Sequence, residues 1–290
     1  MSIYDVFGGK KSFNKEVWAA KKQEQRQEAY NLIEVTCDGM KTNGEQFRRY
    51  LDVQGRFDLY SVNNAILVSA QMPEAIQLKD YNGWKKSRAY VDKDAHKVTI
   101  LEPGKEYRRD DGTKAVGYNA KEVYDVSQTS AKYRQEAKEP RPIRELVSAM
   151  IDVSPVGFQP VEKLELPAFY DSSQQVIFVR TGLGEKELFS VMAKETAVAI
   201  YDLKHKEGRE VSEFGAYCVA YMISSRYGVD TRGFDFGKLP EDFADMETLA
   251  FKTELGKMRD VFGEIQNGMY RSLEKNNPSK EKGQERYEER

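Results

Sequence analysis

Five residues pose the sharpest chemical question in this chain. Lys194-Glu195-Thr196-Ala197-Val198, within LFSVMAKETAVAI (188–200), has the outline of a metal-binding helix whose ligands have been exchanged. Such a helix needs two histidines at i and i+4, so that both imidazoles leave one face and reach one ion. It also needs a glutamate after the first histidine to polarise the bound water. Lys194 and Val198 stand at the two ligand places, and only Glu195 keeps its type. An ammonium repels a divalent cation and an isopropyl group offers it no lone pair, so if the pattern is that of a metal helix, metal chemistry here is excluded on ligand grounds; the alternative is an amphipathic helix in which Glu195 falls by chance. The chain has only two histidines, His96 and His205, neither with a partner at helical spacing. A His-based zinc site, or a triad with His as base, has almost nothing to be built from.

A second set of residues suits a polyanion. Single-stranded nucleic acid is held by cations that follow the phosphates and by flat rings on which bases stack. KDYNGWKKSRAYVDKDAHK (79–97) supplies both: Trp84 with Tyr81 or Tyr90 for stacking, and Lys85, Lys86, Arg88, Lys93 and Lys97 for phosphates. Arg108, Arg109 and Lys114 extend the cationic set, while Asn63, Asn64 and Gln71 offer amides to backbone or base edges. Each has a structural alternative: Trp84 as a core or hinge residue, the asparagines as braces, Gln71-Met72-Pro73 as a helix end, the lysines as a solvated face. Asp80, Asp92, Asp94, Asp110 and Asp111 dilute the positive field. Binding is therefore expected to be weak to moderate, strongly salt-dependent and without sharp sequence preference.

The elements that must position these groups follow from periodicity and punctuation. Helices are expected over 13–36, 45–55 and 60–71. HKVTILEP alternates as a strand that Pro103-Gly104 ends, YRRDDGTKAVGY reads as a hairpin turning at Asp111-Gly112, and AKEVYDVSQT reads as a further strand. Pro140 and Pro142 mark a linker and the start of the next helix. AFYDSSQQVIFVR reads as two short strands around Ser172-Ser173. Helices follow over about 185–203 and 212–227, the second carrying Phe214, Tyr217, Cys218, Tyr221 and Met222 on one face and ending at Gly228.

With 290 residues, 40% hydrophobic and 32% charged, the chain can bury sizeable cores under a charged surface. No run approaches a membrane span, and the N-terminus lacks the apolar core of a signal peptide. Cys37 and Cys218 have no metal-type spacing and are expected to stay reduced, in keeping with a cytoplasmic protein. Residues 1–140 carry 24 Lys/Arg against 21 Asp/Glu, and residues 141–290 carry 21 against 26, so the first half is mildly basic and the second acidic. The division is placed at the proline-marked linker: domains over 1–138 and 139–270, and a charged, apolar-poor tail over 271–290 expected to be disordered.

Longer motifs give these pieces a context. FDLYSVNNAILVSAQMPEAIQLKDYNGWKKSRAYV is similar to a segment Y-S-x-x-N-x-x-L-x-x-x-Q-x-P-x-A, followed by Trp, a basic residue and a strand. YDVSQT (124–129) is similar to V-F-D-V-S-Q-T. On these motifs the chain to about residue 236 resembles the ArdC/LtrC-like family of conjugative elements. That family joins a single-stranded-DNA-binding domain to a zinc-peptidase-like domain. The resemblance implies an α+β fold. An N-terminal helical and β-hairpin DNA-binding domain would precede a mainly helical, zincin-like domain with a small sheet. It adds Tyr60 to the DNA-binding candidates and aligns the family's H-E-x-x-H with Lys194–Val198. The second-helix pattern A-E-S-V-A-Y aligns with Ala216-Tyr217-Cys218-Val219-Ala220-Tyr221, which puts Tyr217 at the ligand carboxylate. All three implied ligands are replaced, and Glu213, one turn earlier, does not restore a three-ligand site. Lys194 and Glu195 are then expected to form ion pairs of the kind worth little at a surface, with Val198 and Tyr217 filling the former metal cavity with apolar volume.

The resulting expectation is a non-catalytic accessory protein of a conjugative or other mobile element. It would bind single-stranded DNA and act in antirestriction or protection of entering DNA, with no cofactor and no membrane partner. The alternative is a protein-interaction module built on the inactive peptidase-like domain, and an active zinc metallopeptidase is disfavoured by the missing ligands.

Overall fold

The computed structural model describes residues 15–109, 111–134 and 140–275. Its N-terminal helices form where apolar residues recur at threes and fours. In α2 (Gly44–Arg56) Phe47, Tyr50, Leu51 and Gln54 share one buried face, and the Asn43 carboxamide caps the helix by accepting from the Glu45 and Gln46 amides at 3.0 and 3.1 Å. α1 (Lys15–Thr42) runs six residues past the expected end, because Cys37, Met40 and Lys41 continue its buried stripe. Ser61 caps α3 (Val62–Gln71), accepting from the Asn64 amide.

The first sheet has the order β1-β3-β2, with β1 at Leu78–Lys79, β2 at Val98–Arg108 and β3 at Lys114–Asp125. Pro103-Gly104 does not end β2 as expected. The strand runs on to Arg108, and the proline sits where the pairing register shifts, a position that tolerates a residue without an amide N–H. The second arm of the expected hairpin and the strand after it are accordingly one continuous β3, and Gly112, whose φ of +81° suits glycine, lies between β2 and β3.

The free edge of β2 is closed by side chains rather than by another strand. The Asn64 carboxamide accepts from the Leu101 amide at 2.8 Å and donates to the Leu101 carbonyl at 2.9 Å. Gln71, two turns along the same helix, does the same at Thr99, at 2.9 Å in both directions. Thr99 and Leu101 are alternate residues, so the two amides meet the two outward-facing rungs of the strand and satisfy the edge. α4 (Tyr81–Lys86) packs against this sheet through Trp84.

The second sheet has the order β4-β6-β5. β4 (Gly157–Val161) runs parallel to β6 (Val176–Arg180), and β5 (Ala168–Asp171) pairs with β6 antiparallel. Around it lie α5 (Ile143–Val153), α6 (Glu185–Ile200), α7 (Arg209–Arg226) and α8 (Thr248–Lys275). α6 does not continue to 203 as an α-helix; Tyr201–His205 form a π turn that ends at the left-handed Lys206. Gly228, with φ +69°, stops α7 where expected. The described residues thus form an α+β fold with two three-stranded sheets, and none of their helices is long and apolar enough to cross a membrane.

The core runs through both halves. Phe47 of α2 lies with its ring centroid 5.7–6.4 Å from those of Phe214, Phe236, Phe243 and Phe251, all from the second half of the chain. Tyr221 of α7 donates to Asp52 of α2 at 2.6 Å. The expected division at 138/139 falls outside the described residues. Of the expected tail, residues 271–275 are the last turn of α8, and 276–290 lie outside the described residues.

The edge bonds give a direct test. Asn64→Ala leaves the Leu101 amide and carbonyl without their partner, so thermal or urea unfolding is expected to show a loss of about 1–3 kcal/mol. An unchanged midpoint would show that the asparagine does not brace β2.

Candidate functional site

The residues proposed for nucleic acid separate into braces and an exposed surface. Trp84 is corrected from a stacking platform to a core residue. It is 1% exposed, its indole N–H donates to the Tyr124 carbonyl at 2.8 Å, and Lys79 lies 4.8 Å over its ring. Asn64 and Gln71 spend both ends of their amides on β2, which corrects their assignment to base or backbone contacts. Tyr60 is half-buried against Phe57, with ring centroids 4.9 Å apart, and Asn63 is half-buried on α3. Burial raises the Tyr60 phenol pKa, against the lowering field of Lys121.

What faces solvent is a smaller set. Tyr81 is 59% and Tyr90 77% exposed, and Lys85, Lys86, Arg88 and Lys93 are exposed around them. Lys97 is exposed but paired with Glu122 at 2.9 Å, while Arg108 and Arg109 are exposed near the tip of the β2–β3 hairpin. The exposed rings stand on a fixed base. Asp80 caps α4 by accepting from the Gly83 amide at 2.6 Å and pairs with Lys121 at 3.0 Å. These contacts hold its carboxyl below the ordinary range, the Gly83 bond contributing most.

Sequence reasoning did not single out Asp125 as a brace. Its 1%-exposed carboxylate accepts from the Ile76 and Gln77 amides, both at 2.8 Å, and from the Ser127 amide at 2.9 Å. Arg56 adds a second tie to the same loop, donating to the Pro73 carbonyl and, at 3.0 Å, to that of Ala75. Charge inside YDVSQT was the available signal, because an aspartate between apolar strand residues must find donors when buried.

The second candidate place lies where α6, α7 and β5 meet. Glu195 is 3% exposed. Its carboxylate accepts from the Tyr170 amide of β5 at 2.7 Å and forms an ion pair with Arg209, the first residue of α7. Arg209 also donates to Glu213 at 2.8 Å, one turn along, and stacks 4.6 Å over the Phe169 ring. Glu213 in turn pairs with Lys194. Two cations and two anions thus alternate along one line. Burial raises the carboxyl of Glu213, but Lys194 and Arg209 more than offset this and leave it below its ordinary 4.5.

This geometry corrects two expectations. The ion pair of Glu195 is buried rather than superficial. The corner is filled by charge rather than by apolar volume, although Val198, at 1% exposure, does enter the core as expected. Tyr217 is half-buried, its ring centroid 5.0 Å from Phe234 and 5.5 Å from Phe236, and its hydroxyl accepts from the Asp235 amide at 2.6 Å. Arg209 and Tyr170 were missed in the sequence. The signal was the Arg209–Glu213 spacing of i, i+4 beside a glutamate that needed a cation.

Tested against a metal ion, this donor set does not fit. Lys194 brings a positive charge, Val198 no lone pair, and Tyr217 a phenol that burial holds above its ordinary pKa of 10. Glu195 is already occupied by Arg209 and the Tyr170 amide. Among the described residues no group of three or more His, Cys, Asp or Glu side chains is arranged to hold a metal. Two open cavities flank the corner and share Lys194 and Tyr217 as a wall. One of about 600 Å³ is lined by Glu210, Glu213, Asp242 and Phe243, and one of about 340 Å³ by Ser190, Asp230 and Phe234.

Two predictions follow from the charge line. Arg209→Met leaves a buried carboxylate unpaired and is expected to cost about 3–5 kcal/mol in urea unfolding, most of it recovered by adding Glu195→Met. An additive double variant would show that the two do not act as a pair. Because the Glu213 pKa is lowered in the fold, its contribution is present above about pH 4.5 and is lost as pH falls through the lower folded value. Lys194→Met should flatten that part of the stability–pH curve, and an unchanged slope would contradict the pairing.

No protein-family model matches this chain. No curated protein matches it either. Among solved structures it is similar to the Mn(II)-bound crystal structure of the antirestriction protein ArdC from plasmid R388, at a TM-score of 0.52 and 12% identity over 72% of this chain and 85% of that one. It is also similar to the metal-free structure of that protein, at 0.47 and 15% over 75% and 85%. At this identity the likeness bears on architecture alone: this chain has the ArdC fold.

Proposed function

We propose that this chain is a non-catalytic protein of a mobile genetic element that binds single-stranded DNA in the cytoplasm and takes part in antirestriction or in protecting entering DNA. The observation that carries the reading is the pair of exposed rings, Tyr81 and Tyr90, set among Lys85, Lys86, Arg88 and Lys93 on a base braced by Trp84 and Asp80. Rings supply stacking that tolerates any base, and cations supply phosphate attraction that weakens with salt. The shared fold with an antirestriction protein supports the same reading. The absence of catalysis is argued from the donor set: Lys194, Val198 and Tyr217 do not bind a divalent ion, and Glu195 is held by Arg209 rather than placed to activate water.

A second reading, a protein-interaction module, draws on the cavity of about 600 Å³ beside Lys194, with Glu210 and Asp242 at its wall and Phe243 within it. It predicts a protein partner captured by the full chain and released by the Glu210→Lys, Asp242→Lys pair.

The DNA reading is tested by anisotropy of a labelled single strand at two salt concentrations. Binding is expected at low salt and should fall steeply as salt rises. Stacking is worth about 1–3 kcal/mol per base, so Tyr81→Ala with Tyr90→Ala should weaken binding by about tenfold or more without lowering thermal stability. Trp84→Ala should instead lower the melting temperature. No binding at low salt, or full binding by the double tyrosine variant, would overturn the reading.

A further inference from the structure

The cavity of about 600 Å³ beside Lys194 is bounded by the first turns of α7, the π turn before it, the turn at Glu241–Phe243 and the first half of α8. Its volume lies within the range of roughly 300–1,000 Å³ typical of small-ligand sites. Five carboxylates line it, those of Glu207, Glu210, Glu213, Asp242 and Glu254, against the single ammonium of Lys194. Three of the five are already committed, Glu213 to Lys194 and Arg209, and Glu207 and Glu254 to Lys257. Glu210 and Asp242 are exposed at its mouth, and among the described residues neither forms an ion pair or a hydrogen bond.

Between these charges the wall is apolar, made by Phe214, Phe243, Met246 and Met258. At its inner side stands Tyr201, which is only 2% exposed. Its hydroxyl forms no hydrogen bond among the described residues, yet the oxygen is not sealed off by protein. Gly215 gives the oxygen its room, because a β-carbon there would lie 2.7 Å from it. Burial raises the Tyr201 phenol well above its ordinary 10, and the fields of Cys218, Glu254 and Glu207 add to this, so the hydroxyl stays neutral at physiological pH. A buried hydroxyl without a partner is costly unless something entering the cavity bonds to it.

The surroundings select that partner. The phenol oxygen accepts an N–H, and the carboxylates around it favour a donor that carries positive charge. An anion is repelled by the same carboxylates. A neutral apolar ligand would leave Glu210, Asp242 and the Tyr201 oxygen unused. A cation on an apolar stem satisfies all of them, with methylenes against the rings and thioethers and the charge against carboxylate and phenol.

We propose that this cavity binds an organic dication, one head on the Tyr201 oxygen in the field of Glu207 and Glu254, the other on Glu210 and Asp242, and an alkyl stem between them. The shared chemistry is that of two ammonium or guanidinium groups joined by methylenes, either a free polyamine or basic side chains of a protein. The site shares its cavity with the protein-interaction reading and stands without a protein partner.

The test is calorimetric titration and thermal shift of the full chain with cadaverine, agmatine and spermidine, alongside pentanediol and glutarate as neutral and anionic counterparts of cadaverine. At least one dication is expected to bind saturably and raise the melting temperature, and neither counterpart should do so. Tyr201→Phe removes only the unpartnered oxygen. It should weaken that dication by about tenfold while leaving the unliganded melting temperature unchanged or higher. Glu210→Gln with Asp242→Asn, both exposed, should weaken it by about tenfold or more. Competition by a pentalysine peptide would support the site with protein side chains as the source, and lack of competition would support it with a free polyamine. No saturable binding by any of the three cations, equal binding of pentanediol, or full binding by both variants would overturn the proposal. Capture of a protein through Glu210 and Asp242 without any such titration would overturn this site while leaving the interaction reading, and titration without capture would do the reverse.

Discussion

A carboxylate that is 3% exposed needs a partner, and Glu195 has two: the Arg209 guanidinium and the Tyr170 amide. Those contacts come from α7 and β5 while Glu195 sits on α6, so one buried charge ties two helices and a sheet edge together. Removing either ion strands the other, whereas replacing both by apolar groups need not cost much. The pair therefore acts as a constraint on geometry more than as a source of stability. Tyr170 can meet Glu195 only because β5 is an edge strand with an amide pointing away from β6. Arg209 reaches it from the start of α7, which follows the short connection from the left-handed Lys206 at the end of the π turn to Gly208. Lys194 and Glu213 extend the same line to the cavity wall.

The N-terminal part has the same logic with different groups. The residues that make its two motifs recognisable are mostly those that satisfy the backbone. Asn64 and Gln71 close the β2 edge, Asp125 gathers three amides, and Trp84 fills the small core beneath α4. Tyr81 and Tyr90, the rings exposed to solvent, stand outside those constraints. Bracing groups and exposed rings are thus different side chains on one short stretch.

Much of the fold was legible because periodicity and punctuation report local structure. α2, α3, α6 and α7 were placed by apolar spacing, and the hairpin by Asp111-Gly112. The course of β2 through Pro103 was not legible, since a proline at a bulge looks like a proline at a strand end. The site was half legible. Ligand chemistry marked Lys194 and Val198 as unsuited to a metal and left Glu195 as the one residue of fitting type, while Tyr217 came from the resemblance. It could not show that charge rather than apolar volume fills the corner, because Arg209 and Tyr170 reach Glu195 from 14 and 25 residues away. Nor could composition tell a buried Trp84 from an exposed one, for both readings need the same residue.

That the corner of α6, α7 and β5 holds a line of ion pairs whose donor set does not fit a metal is tested most directly by calorimetric titration of the purified full chain with Mn(II) and with Zn(II). The account predicts no stoichiometric binding at this corner, and no change when Glu213→Gln is titrated alongside. Binding of one ion per chain that is lost in Glu213→Gln or Glu195→Gln would contradict it.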